Sequence, residues 1–299
     1  MTNSSAKKIR LSRDDRIFYT VSDILLGLLL IVILYPLIYV VSSSFSAPNA
    51  VLSGRVVLWP VEPSLEGYQA IFRNRFIGIG YLNSFFYTIF GTLINVVLTL
   101  MAAYPLTRKE LPFGKFIMFL FTFTMFFSGG MIPTYMLMSS LNLIDTRLVM
   151  LISGFISVYN MIITRTFIQS SIPNDLFEAA EIDGCSYIKY FLVMVIPLSK
   201  AVIAVISLYY AVGHWNSYFD AFLYLNTRQL FPLQLILREI LVANTITEDV
   251  DPELMMRKQG LADVLKYSLI IVASVPVLVI YPLVQKFFAK GVMIGSLKG

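Results

Sequence analysis

Apolar runs about as long as a bilayer-crossing helix recur along this chain, separated by shorter polar connections. The first, 22–43, follows a basic segment with Lys7, Lys8, Arg10, Arg13 and Arg16. It is long enough to cross a bilayer, which takes about 20 helical residues, and too long for the apolar core of a signal peptide. Further runs cover 82–106, 116–138, 148–168, 202–224 and 265–288. The pattern predicts an all-α integral membrane protein with six transmembrane helices in one domain, 22–288. A polar segment, 1–21, precedes the domain and a short tail, 289–299, follows it.

The connections refine this picture. The stretch after the first run, SAPNAVLSGRVVLWPVEPS, is rich in turn residues and reads as an outer loop continuing to about Ile79. TRKELPFGK after the second run carries Arg108, Lys109 and Lys115 and marks the cytoplasmic side. The third run is interrupted near Ser128, Gly129, Gly130 and Pro133, and LNLIDTR follows it as a short outer turn. The longest polar interval, between Leu225 and Asp263, falls outside. Counting alternate sides, most Lys and Arg collect on the side of the N-terminus, which predicts a cell-membrane protein with both termini cytoplasmic.

One stretch stands apart, Pro173 to Ala201, PNDLFEAAEIDGCSYIKYFLVMVIPLSKA. Pro173 presets a helix-compatible φ and Asn174 is a good N-cap, with Asp175 and Glu178 placed early in the helix, where negative charge complements its dipole. Phe177, Ala180, Glu181 and Gly184 share a face, and Ala179 and Ala180 give it little bulk. Gly184 can take a positive φ and end the helix, Ser186 can cap a second one, and that one is expected to stop before Pro197.

EAAEIDG at Glu178 to Gly184, followed by Phe191 and IPL at Ile196 to Leu198, resembles the EAA loop of permease subunits of ABC importers. Cys185 stands where alanine is usual in that family and Ala201 where a second proline is common. The resemblance implies the type I importer permease fold. It also implies that the loop is a coupling helix docking into a cleft of an ATPase subunit, with Glu178, Ala179, Ala180, Asp183, Gly184 and Pro197 as its coupling residues. Glu178 is the candidate for a contact with the ATPase, and Asp183 for holding the glycine turn.

Composition agrees with the membrane reading. Of 299 residues, 57% are hydrophobic and 14% charged, against roughly 25% charged in soluble domains. The net charge of +5 comes from residues flanking apolar runs, not from a basic stripe, which argues against nucleic-acid binding. No G-x-x-x-x-G-K-[ST], H-E-x-x-H, C-x-x-C or G-x-S-x-G occurs, and one His and one Cys cannot build the usual metal or triad sites. The chain is expected to be non-catalytic and to hold no cofactor or metal, with ATP and Mg bound by a partner ATPase.

Two further stretches narrow the resemblance. GHWNSYFD, Gly213 to Asp220, is similar to the Trp-Asn segment of carbohydrate ABC permeases, and Trp215, Asn216 and Tyr218 are candidates to line a sugar pathway. An interfacial aromatic belt with one helix-packing asparagine accounts for the same residues. The tail KGVMIGSLKG is similar to C-termini of the maltose-type and polysaccharide-type permeases, which implies a coupling role for Gly295, Ser296 and Lys298. The family further implies a second permease subunit, two nucleotide-binding ATPase subunits, an extracytoplasmic solute-binding protein and a carbohydrate substrate, an oligosaccharide or polysaccharide fragment. A permease for a peptide, amino acid or phosphate is the nearer alternative. An ion-driven secondary transporter is the farther one, since it would carry ionisable residues at the midplane.

Overall fold

The computed structural model describes residues 12–243, 259–279 and 282. Among them the chain is helical, apart from turns and one isolated β-bridge between Ser46 and Pro63. Three helices are long and apolar enough to cross a membrane: Arg13–Ser44 (α1), Arg75–Thr107 (α4, with a tight turn at its end) and Gln259–Val279 (α14). The number is five if each of two sharply bent pairs forms one span, so the described residues do not reach the six continuous spans that the apolar runs predict.

The chain divides into two compact units. In the first, α1 starts at Arg13, earlier than the apolar run suggests, because Ser12 and Asp15 form a capping box. The segment expected as a loop contains two short helices, Pro48–Leu52 (α2) and Glu66–Arg73 (α3). Of the serines buried at the end of α1 and just past it, Ser42 donates to Leu58 O, Ser46 to Ser42 O and Ser44 shares a hydrogen bond with the Tyr68 hydroxyl, while Ser43 Oγ has no partner among the described residues. Ala50, Val51, Val56 and Val264 form the small core behind them.

The second unit is built around α4. The uncharged polar groups Asn83, Ser84, Asn95 and Thr99 are buried on it, and each finds a partner on another element. Asn83 donates to Gln229 O and Phe231 O, Ser84 accepts from Leu233 N, and Thr99 is 2.6 Å from the Tyr210 hydroxyl. Such bonds hold helices together where no water competes. The Leu225–Asp263 interval is not a loop throughout, since Leu233–Ala243 (α13) buries Leu233, Leu235, Ile236 and Leu237. Residues 244–258 lie outside the described residues.

The third run breaks where its glycines stand: Gly114–Phe126 (α5) and Met131–Ser140 (α6) meet at 114°, with Gly130 at φ 88. The fourth run differs from expectation. It is not one helix but two, Arg147–Ile152 (α7) and Val158–Ser171 (α8), separated at Gly154, whose φ of 73 ends a helical path.

Candidate functional site: the coupling loop and a polar cavity

The EAA stretch folds as Asn174–Ile182 (α9), a glycine turn and Tyr187–Leu198 (α10). The Gly184 amide donates to Glu181 O, the Cys185 amide to Ala180 O, and Gly184 sits at φ 72. This is a Schellman closure, which needs a residue free to adopt a left-handed backbone. Ser186 caps α10 by accepting from Lys189 N at 3.3 Å. Asn174 is not the cap of α9; Pro173 holds that place and Asn174 is the first helical residue.

Pro197 does not stop α10 as expected. A π turn over Phe191–Val195 shifts the hydrogen-bond register ahead of the proline, so that its missing N–H and its ring fit, and the helix continues to Leu198. The chain then bends by 80° into Lys200–Trp215 (α11).

The inner face of the loop packs onto the end of α4. Tyr104, Ile168, Ile172, Phe177, Tyr190 and Val195 form one buried cluster, against which Ala180 and Cys185 pack. Arg108 lies in its middle, its guanidinium carbon 4.0 Å from the Phe177 ring centroid, 4.9 Å from Tyr104 and 5.2 Å from Tyr190. A planar cation on three ring faces ties α9 and α10 to α4 without a salt bridge. The outer face carries different chemistry. Glu178, Ala179 and Asp183 are exposed, and neither carboxylate has an ion pair or hydrogen bond among the described residues. Ile182 and Ile188 are 87% and 73% exposed beside them. The sequence singled out Arg108 only as a mark of the cytoplasmic side and passed over the two isoleucines; an Arg four residues after Tyr104, at the end of an apolar run, was the available signal for the clamp.

A cavity of about 460 Å³ opens between α4, the α7–α8 break and the end of α11, also bordered by Phe219–Tyr224 (α12). Its polar lining includes Asn95, Ser153, Asn160, His214, Ser217 and Asp220, and neither Lys nor Arg among the described residues lines it. Asn95 lies 3.3 Å from His214 Nε2, while its own Oδ1 is buried without a partner. Ser153 donates to Asp220 at 2.8 Å. Gly91 lets His214 lie directly against α4, since a Cβ there would run into the imidazole ring.

The three aromatic-segment candidates lie off this cavity. Trp215 is buried against Phe85 and donates its indole N–H to Ala273 O at 3.1 Å. Asn216 bonds back to Val212 O at the end of α11, and Tyr218 stacks under Arg238. Their neighbours His214, Ser217 and Asp220 reach the cavity instead. Gly295, Ser296 and Lys298 lie outside the described residues. No group of three or more His, Cys, Asp or Glu able to hold a metal occurs among the described residues.

A helical membrane subunit with a clamped, outward-tipped loop and a polar internal cavity has the parts of a transport permease, and known proteins agree. No family model matches the chain. It is 40% identical over 264 residues, 88% of this chain and 92% of the other, to the polygalacturonan/rhamnogalacturonan transport system permease protein YtcP of Bacillus subtilis. It is 36% identical over 295 residues, 96% of this chain and 97% of the other, to protein LplC of the same organism. A solved bacterial ABC transporter involved in the import of the acidic polysaccharide alginate contains a chain that superposes with a TM-score of 0.83 at 33% identity, covering 94% of this chain and 100% of that one. The chain belongs to the permease subunits of carbohydrate ABC importers.

Proposed function

We propose that this subunit forms half of the pathway by which an ATP-driven importer moves fragments of an acidic polysaccharide into the cytoplasm. Five of its six spans are the three long helices and the two bent pairs; the broken α7–α8 segment supplies the other. Both termini and the EAA loop face the cytoplasm, in keeping with Lys and Arg flanking that side. A second permease completes the pathway, two ATPase subunits bind ATP and Mg, and an extracytoplasmic binding protein delivers the sugar.

The observation that carries the reading is the two-faced coupling loop. Its inner face is clamped to α4 through Arg108, Phe177 and Tyr190, and its outer face presents Glu178, Asp183, Ile182 and Ile188, exposed, with no ion pair to either carboxylate among the described residues. ATP-driven closure of the ATPases pulls on this tip, and the clamp passes the movement to α4, whose Asn95 borders the cavity. Ala179, Ala180, Gly184 and Pro197 keep the tip slim and its turn and bend fixed, and Gly295, Ser296 and Lys298 act from the tail.

The substrate class follows from two considerations. Two of the three proteins named above are a polygalacturonan/rhamnogalacturonan transport permease and an importer of the acidic polysaccharide alginate, and these polymers are uronate-bearing. The cavity offers hydroxyl, amide and imidazole groups and one carboxylate but no fixed cation, so this half binds sugar hydroxyls and the second permease neutralises the uronate charge. Trp215, Asn216 and Tyr218 support the pathway from behind by fixing the end of α11. The test is uptake of defined oligogalacturonate into vesicles holding the complete importer. Asn95→Leu should raise the half-saturating concentration while ATPase activity stimulated by the binding protein survives. Equal uptake by wild type and variant would remove the cavity from the pathway.

A further inference from the structure

At the end of the spans where the EAA loop sits, a groove of about 790 Å³ runs between the start of α5, the end of α4 and α8. Four cations line it, Arg108, Lys109, Lys115 and Arg165, and no Asp or Glu among the described residues does. The three ion pairs among the described residues lie elsewhere, at Arg55–Glu62, Arg228–Glu239 and Lys266–Asp263. Arg165 spends its Nε on Leu106 O at 2.8 Å, and Arg108 Nε is buried with no acceptor. Such a concentration of unneutralised positive charge is unfavourable unless an anion is there to balance it.

The groove's other surfaces say what kind of anion. Leu111 and Phe113 form an apolar wall, and Phe113 is 80% exposed. From there α5 continues into the apolar run with Phe116, Phe119 and Phe123 exposed along it. The helix begins with no side-chain cap and no acidic residue in its first turn, so its dipole adds to the attraction for negative charge. A ligand filling this groove is anionic at one end and apolar at the other.

We propose that the groove is a specific site for an anionic phospholipid, whose headgroup phosphate sits among Lys109, Lys115, Arg108 and Arg165 while its acyl chains lie along Phe113 and α5. Arg108 then belongs to two structures at once, since it borders this groove and clamps the coupling loop. Lipid in the site stabilises the clamp, so the surrounding membrane's anionic content sets how firmly the loop is held. The proposal needs only that the chain is a membrane subunit, and it stands or falls independently of which sugar is carried.

The experiment uses the complete importer purified in mild detergent from vesicles of phosphatidylcholine with a minor share of phosphatidylglycerol. Bound lipid is identified by native mass spectrometry. The wild type should retain phosphatidylglycerol selectively. Lys109→Gln with Lys115→Gln should weaken retention by about 30-fold, from about fivefold for each cation near a headgroup. Two further variants keep the result interpretable. Arg13→Gln with Arg16→Gln removes the same charge from an exposed site elsewhere and should retain lipid, and Lys109→Arg with Lys115→Arg should retain it too. The proposal is overturned if the wild type retains no phosphatidylglycerol, if the Arg13/Arg16 variant loses it equally, or if inorganic phosphate alone displaces it. It is also overturned if the glutamine variant keeps its lipid but sheds the ATPase subunits, since the groove would then belong to a protein partner.

Discussion

The guanidinium of Arg108 lies face-on to the ring of Phe177, 4.0 Å from its centroid, and this contact joins the end of α4 to the first helix of the coupling loop. The two residues are far apart in sequence, and no ion pair connects the loop to α4. Replacing Arg108 by alanine removes a desolvated cation–π contact worth on the order of 2 kcal/mol. The complex should still assemble, but sugar imported per ATP hydrolysed should fall. Arg108→Lys keeps the charge without the plane and should lie between. Unchanged coupling in Arg108→Ala, measured as the ratio of uptake to hydrolysis in the same vesicles, would show that the clamp transmits nothing.

Gly184 holds φ 72 at the closure of α9, with open space around it, so the constraint there is backbone and not packing. A β-branched residue in this conformation costs about 1–2 kcal/mol. Gly184→Val should leave membrane insertion intact and reduce uptake more than ATP hydrolysis. Gly184→Asn should recover much of the coupling, because asparagine tolerates the left-handed region. Normal uptake by the valine variant would mean that the loop does not need this turn.

Gly91 and His214 test the α4–α11 contact. A methyl group at Gly91 meets the imidazole ring, and overpacking of this kind typically costs about 1–3 kcal/mol. Gly91→Ala should lower the melting temperature of the detergent-solubilised subunit, and adding His214→Ala should restore part of the loss. Additive destabilisation in the double variant would contradict the contact.

Asp145 links the turn after α6 to the segment after α12. It accepts from Thr227 Oγ1 at 2.6 Å, Thr227 N at 2.8 Å and Asn226 N at 2.9 Å. The Thr227 side-chain bond, foremost, and these amide bonds hold its carboxyl below the usual carboxylate value. A depressed folded-state pKa stabilises above the unfolded value, about 3.9, and the contribution fades as pH falls through the folded one. Stability of the wild type should therefore drop more steeply below about pH 4 than that of Asp145→Asn, as read from melting temperature against pH. Parallel curves would remove Asp145 from the acid response.

Much of this architecture was legible in the chain, where one residue type has one physical reason to be present. Gly184 and Ser186 announce a turn and a cap, and Gly130 sits where the third run breaks. Gly154 was passed over because a single glycine inside an apolar run reads as a tolerated helix residue, and only the fold reveals its positive φ. Pro197 misled for the opposite reason. Its effect on a straight helix is predictable, but a wider turn upstream absorbs it. The Trp215 segment shows a further limit: sequence identifies which stretch carries polar and aromatic groups, but a helix face decides which of them reach the cavity, and here they are His214, Ser217 and Asp220.

The break at Gly154 has a consequence for how a sugar could cross at all. An unbroken helix consumes its own peptide groups, so a hydroxyl-rich solute passing beside it would shed its water and receive nothing back, at several kcal/mol for each bare hydroxyl. Where α7 stops and α8 begins, the peptide chain turns its own groups outward, and Gly154 O already accepts from Asn95 at the cavity edge. On the proposed pathway, that short uncoiled stretch serves as a substitute solvation shell for the sugar. Translocation then becomes an exchange of one set of hydrogen bonds for another, and the barrier depends on how well successive sets match.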